Sequence, residues 1–138
     1  MLKANFITAQ EAAEKIQDGS TLCTIGMTLV SASESILKAI EKRFETVGHP
    51  ADITLVHSCG QSDRKDGIQH LAHEGLVKRI VGSHWGLQPR WMEMIANSQV
   101  EAYCLPQGQI AQLYRSMACG LPGKMSKVGL GTFIDPRV

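Results

Sequence analysis

Four short β-prone runs, at 21–25, 53–56, 79–82 and 101–104, alternate with stretches of helical spacing. No other feature of the chain constrains its fold as tightly. Strands separated by helices cannot pair as hairpins, and the economical solution is a parallel sheet with crossover helices. The expected class is α/β, an open, mainly parallel sheet with helices on both faces. Right-handed crossovers then carry every strand-to-helix loop to the carboxyl edge of the sheet, where open α/β sheets bind ligands. Those loops are 26–33, 58–69, 83–89 and 105–108.

The helical stretches carry their own punctuation. Thr8 and Glu11 have capping-box spacing ahead of Ala12, Ala13 and Ile16, which predicts a helix over 9–17 stopped by Asp18-Gly19. Ser31 and Glu34 repeat that spacing, and Ile36, Leu37, Ile40 and Phe44 continue it to about Thr46. Further helices are predicted over 70–77, over 89–97 behind Pro89, and over 109–118 before Gly120 and Pro122. The apolar run Ile53-Thr54-Leu55-Val56 reads as a strand buried on both faces. Lys127-Val128-Gly129-Leu130 looks like the start of another strand rather than a terminus.

Composition narrows the classes. Lys and Arg number 14 against 13 Asp and Glu, so no net field draws in nucleic acid or an anionic membrane. No apolar run approaches the roughly 20 residues of a membrane span, and residues 1–6 do not read as a signal peptide. Cys23, Cys59, Cys104 and Cys119 form no CxxC pair and are expected to be buried, reduced thiols, in keeping with a cytoplasmic protein.

The loops carry the chemistry. Gly26 ends the first strand where backbone N–H groups and a following helix N-terminus suit an anion; a plain tight turn accounts for it equally. In the next loop, Ser58 or Gln61 has the donors to hold a carboxylate, against the reading of a solvated loop. Pro106-Gln107-Gly108 is the best local signal: proline bends the chain off the strand, Gly108 frees the backbone, and the Gln107 amide suits a carboxylate or an oxyanion.

Other patterns carry less. His57, His70, His73 and His84 lack metal-site spacing, so no metal is expected and capping, exposure or packing explains them. Trp85, Pro89, Arg90, Trp91 and Met92 form a basic-aromatic patch that suits adenine stacking or an interface, with core packing the readier explanation. Gly129-Leu130-Gly131 is half a dinucleotide fingerprint; Ile134 stands where its third glycine belongs.

Taken in order, Gly26 and Glu34, the run from His73 to Arg79, Gly82-Ser83-His84-Trp85-Gly86, Leu105-Pro106-Gln107-Gly108 and Gly131-Thr132-Phe133-Ile134-Asp135-Pro136-Arg137 resemble the amino-terminal part of the family I CoA-transferases. The propionate/acetate branch is the nearest, and the resemblance runs from Ile7 to Arg137. It departs at Leu29, where the family has a second glycine, and at Ser33, where it has proline; both bear on acyl preference or on activity.

This resemblance implies an incomplete α-type domain over residues 1–138 that supplies part of an acyl-CoA site, with Gln107, Gly108, Gly26 and Ser58 as substrate- or oxyanion-site residues. It implies transfer of CoA between a short acyl-CoA and a carboxylic acid such as acetate, propionate or a ketoacid. The family's nucleophile is a glutamate in a second domain or subunit. None of Glu11, Glu14, Glu34, Glu41, Glu45, Glu74, Glu93 and Glu101 matches its motif, so the chain alone is expected to be inactive. CoA would be a substrate, with no metal or redox cofactor. The implied partners are the missing domain or subunit and, in the complete enzyme, further copies. A stand-alone anion- or nucleotide-binding module and a truncated gene remnant of the same fold remain alternatives.

Overall fold

The computed structural model describes residues 4–138, so part of the 1–6 stretch weighed as a leader lies outside the described residues. Along the chain run α1 (Ala9–Glu14), β1 (Thr21–Thr24), α2 (Glu34–Val47), β2 (Ile53–His57), a 3-10 helix (Gly67–Leu71), β3 (Val77–Gly82), α3 (Pro89–Ala96), β4 (Glu101–Cys104) and α4 (Gln107–Ala118). The strands form one parallel sheet in the order β1-β2-β3-β4. The α/β class expected from the alternation is the one observed.

Local rules account for most boundaries. Thr8 caps α1 reciprocally: its hydroxyl accepts from the Glu11 N–H at 3.2 Å and its own N–H donates to Glu11 at 2.7 Å. In α2, Leu37 and Ile40 face inward, and Gly48 ends the helix in the left-handed region at φ 73°. The second capping box does not form. Ser31 lies at φ 63°, Ser33 is the N-cap without a side-chain bond, and the Glu34 carboxylate is engaged by Gly67 and His70.

Three further expectations are corrected. The helix over 70–77 is instead the short 3-10 turn: Ala72 leaves helical dihedrals, Gly75 reverses the chain at φ 86°, and Val77 is already paired with Ile53. The 127–130 run is not a strand. Gly129 and Gly131 adopt φ 98° and 74°, and Asp135 gathers the Gly131 N–H at 2.8 Å and the Arg137 guanidinium at 2.7 Å into successive turns. The cysteines are free but none is buried; Cys23 and Cys119 are exposed.

The main core lies against one face of the sheet. Leu22, Leu55, Ile80 and Ala102 stand side by side across the strands and pack with Ala13, Leu37, Ile40, Trp91 and Met94 from the helices. On the other side, α4 approaches through Tyr114, whose hydroxyl donates to the Thr24 and Val56 carbonyls at 3.0 and 3.4 Å. Val56 and Ile110 are buried outside the main cluster, so the strand expected to be buried on both faces is covered on this side at Val56, while Thr54 is only half-buried. The rest of that side is open, with Arg79 paired to Glu101 at 2.6 Å and Tyr103 exposed. Among the described residues, no helix is long and apolar enough to cross a membrane.

Candidate functional site

Because every strand points the same way, the loops after β1, β2, β3 and β4 share one edge. The first leaves β1 through Gly26 at φ 135°, where a Cβ would stand 2.7 Å from the Val30 carbonyl oxygen. That room lets Met27 and Val30 bond each other's backbones at 3.1 and 2.9 Å and close a tight reversal. Thr28, at its tip, takes φ 53°, uncommon for a β-branched residue. Its N–H donates to the Gly60 carbonyl at 2.9 Å and so joins the first loop to the second.

Gln61 anchors the second loop from inside. It is 1% exposed, donates to the Thr24 carbonyl at 3.0 Å and accepts from the Thr24 hydroxyl at 2.6 Å. Its amide is therefore spent on the strand end and is not free for a carboxylate. With the Gln88 amide oriented to satisfy both its atoms, Gln88 accepts from the Gln61 N–H at 2.9 Å and donates to the His84 carbonyl at 3.0 Å. The third loop is thereby tied in. The Ser83 hydroxyl donates to the Ser58 carbonyl, a further stitch between the second and third loops.

These loops border an open, shallow cleft of about 440 Å³. Met27 and Thr28 line it from the first loop, Cys59 and Gly60 from the second, Ser83, His84 and Leu87 from the third, and Gln107 from the start of α4. His84 lies close over the second loop, since a Cβ on Gly60 would meet its Nδ1 at 2.9 Å. None of these described lining residues carries a carboxylate. The walls combine apolar surface with neutral hydrogen-bonding groups, which suits a ligand with a polar head and a short apolar body.

Of the residues singled out from sequence, Gln107 lines the cleft, exposed in the first turn of α4. Gly108 is helical and exposed, with nothing within 4 Å of the position its Cβ would take, so it packs against nothing rather than freeing a loop. Gly26 and Ser58 are next to lining residues and act through their backbones, the one by allowing the reversal and the other by accepting from Ser83. The residues the sequence did not single out, among them Met27, Thr28, Gly60 and Leu87, lay inside loops already assigned to this edge, with no individual signal.

The histidines separate by environment. His57, at the end of β2, is fully buried; its Nδ1 faces the Cys59 carbonyl at 2.7 Å and its Nε2 has no partner. Burial pushes its pKa down to about 4. His70 and His73 pair with carboxylates of α2. Glu34, Asp66 and His70 lie close enough to share a cation, but the Lys38 ammonium already bridges the two acids at 3.2 and 3.4 Å. In the aromatic patch, Trp91 is buried and donates to the Ile68 carbonyl at 2.9 Å, as core packing requires.

Known proteins share this fold and a substantial part of this sequence. A solved acyl-CoA transferase from Escherichia coli O157:H7 (YdiF), in a thioester complex with CoA, matches with a TM-score of 0.87 and 36% identity over 95% of this chain and 27% of its own. The caffeate CoA-transferase of Acetobacterium woodii is 40% identical over 98% of this chain and 26% of its own length. The acetate CoA-transferase YdiF of Escherichia coli strain K12 is 37% identical over 95% and 25%. The chain thus spans about a quarter of the length of these relatives. The coenzyme A transferase family profile matches residues 6–138, and the chain belongs to that family.

Proposed function

We propose that this chain is the amino-terminal part of a CoA-transferase α-type domain and forms one wall of the site where CoA passes between a short acyl-CoA and a carboxylic acid. The observation that carries the reading is the cleft at the loop edge, which Gln107, at the start of α4, lines together with Cys59, Gly60 and Ser83. A neutral amide donor in such a place suits the carbonyl oxygen of a thioester, and gains strength as that oxygen becomes an oxyanion. Acetate, propionate and short ketoacids are the acids proposed.

The cleft's described walls bring no carboxylate. On this reading the attacking glutamate comes from the remainder of the enzyme, a second domain or subunit, and the isolated chain does not turn over. In the complete enzyme that glutamate attacks the thioester to give an acyl-enzyme anhydride and releases CoA as thiolate. CoA then displaces the carboxylic acid to leave a glutamyl thioester, and the second acid reverses the sequence. CoA is a substrate here, and neither metal nor redox cofactor enters the scheme. A cytoplasmic, homo-oligomeric enzyme belongs to the same proposal, the four free thiols supporting a reducing compartment.

Acetyl-CoA:propionate exchange by the purified chain, with calorimetric titration of CoA and of propionate, tests it. The expected result is saturable binding of CoA without exchange. Robust turnover by the chain alone would overturn the missing-nucleophile reading, and absence of any CoA binding would overturn the site.

A further inference from the structure

Beneath the loop edge, on the side of α2 that meets the 3-10 helix, His70 sits in a ring of charges the transferase reading does not use. Its side chain is 13% exposed. Nδ1 faces the Glu41 carboxylate, while Nε2 faces Glu34 at 2.8 Å and Asp66 at 3.3 Å. Carboxylates only accept, so a ring with one on either side must donate from both nitrogens, which only the imidazolium does.

The neighbours complete the balance. Lys38 of α2 bridges Glu34 and Asp66 at 3.2 and 3.4 Å. His73 donates to the second oxygen of Glu41 at 2.9 Å, Arg90 of α3 approaches that oxygen at 3.5 Å, and Glu45 lies beside Glu41 and His73. Lys38 and Arg90 are about half exposed and hydrated; His70 is the cation held inside.

Glu34 is the first residue of α2, directly after the 26–33 loop, and its other oxygen accepts the Gly67 N–H at 2.9 Å. Gly67 in turn admits the close turn onto Gln61, since a Cβ there would stand 2.0 Å from the Gln61 carbonyl oxygen. His70 therefore holds Glu34, whose bond to Gly67 fastens the first loop to the second alongside the Thr28 bond to Gly60. We propose that His70 is a proton-operated clamp: as the imidazolium it locks Glu34 and Glu41 of α2 onto the 3-10 segment, and on losing its proton it frees the 26–33 and 58–67 loops to move apart. The neutral ring turns a lone pair toward one carboxylate, which loses a donor and faces Asp66 and its partner acid with less compensation.

Burial alone would lower the His70 pKa, but hydrogen bonds to Glu41 and Glu34 overcome it and the pKa is raised. The sign follows: the clamp stabilises fully below about pH 6.5, the value in an unfolded chain, and is lost as pH rises through the elevated folded value. This inference is independent of what the loops bind.

Ring-nitrogen NMR of the purified chain, with hydrogen exchange of the loop amides corrected for intrinsic pH dependence, tests it. His70 is expected to show two N–H protons at pH 6 and a midpoint above 6.5. The Thr28 and Gly67 amides should lose protection by roughly tenfold or more across that midpoint, while β3 amides do not. His70→Asn should exchange at the fast rate at every pH, and His73→Gln should retain the pH step. Should His70→Asn not fold, Glu41→Gln serves in its place, with the midpoint expected to fall. A singly protonated His70 at pH 6, or loop protection indifferent to the midpoint, would overturn the clamp.

Discussion

The imidazole of His57 occupies the space that a side chain on Gly82 would need: a Cβ there would lie 2.2 Å from His57 Nε2. The two residues occupy neighbouring strands at the level where β2 and β3 reach the loop edge. The glycine is the condition for burying the histidine, and the histidine in turn supports the Ser58-Cys59-Gly60 turn through its bond to the Cys59 carbonyl.

Gly82→Ala is expected to destabilise the chain by about 1–3 kcal/mol, the usual cost of overpacking. A smaller residue at 57 removes the collision, so the double variant His57→Ala, Gly82→Ala should lose less than the sum of the single changes. Urea unfolding of the four proteins measures this coupling, and strict additivity would contradict it.

Acid should weaken the fold through the same histidine. Its folded pKa of about 4 lies below the value of 6.5 for a free histidine. A depressed pKa means stability is present above about pH 6.5 and is lost as pH falls toward 4, by on the order of 3 kcal/mol in all. His70 acts on the opposite limb, above pH 6.5, so stability should peak near neutrality. Denaturation series from pH 4.5 to 9 would show both limbs, and His57→Asn should remove the acid one.

Gln61→Ala removes the amide that satisfies the Thr24 carbonyl and hydroxyl inside the protein. The Thr24 hydroxyl loses its acceptor while the carbonyl keeps the Tyr114 hydroxyl, so a loss of about 1–3 kcal/mol is expected, together with faster exchange of amides in the 26–33 loop. Chemical unfolding and hydrogen exchange read the two effects, and an unchanged loop would deny Gln61 its anchoring role.

Gln107 is exposed and helical, so Gln107→Ala should leave stability within about 0.5 kcal/mol. In the complete enzyme the same change should lower kcat by roughly 100- to 1,000-fold if the amide serves the oxyanion, with KM altered much less. Steady-state kinetics decides, and an unchanged kcat would remove Gln107 from the chemistry.

Much of this architecture was legible in the residues. The strands stood out because β-branched and apolar runs at 53–56 and 79–82 are flanked by glycine and polar turns, and the shared loop edge followed from parallel topology alone. What escaped was set by contacts distant in sequence. Residues 70–77 carry apolar spacing that fits helix or strand, and pairing of Val77 with Ile53 decides between them. The Ser31–Glu34 spacing promised a cap, but His70, far along the chain, claims the Glu34 carboxylate. Gln61, in the loop after β2, and Gln107, at the start of α4, are chemically identical side chains, and only burial makes one an internal tie and leaves the other exposed along the cleft.

The backbone of Thr28 has a further implication. A β-branched residue held at φ 53° sits uphill by about 1–3 kcal/mol, and its amide is latched to the Gly60 oxygen. The reversal at 27–30 is thus a cocked element whose shape is borrowed from its neighbour. A ligand that competes for that oxygen would trip it, and entry into the cleft would then reshape the mouth it came through.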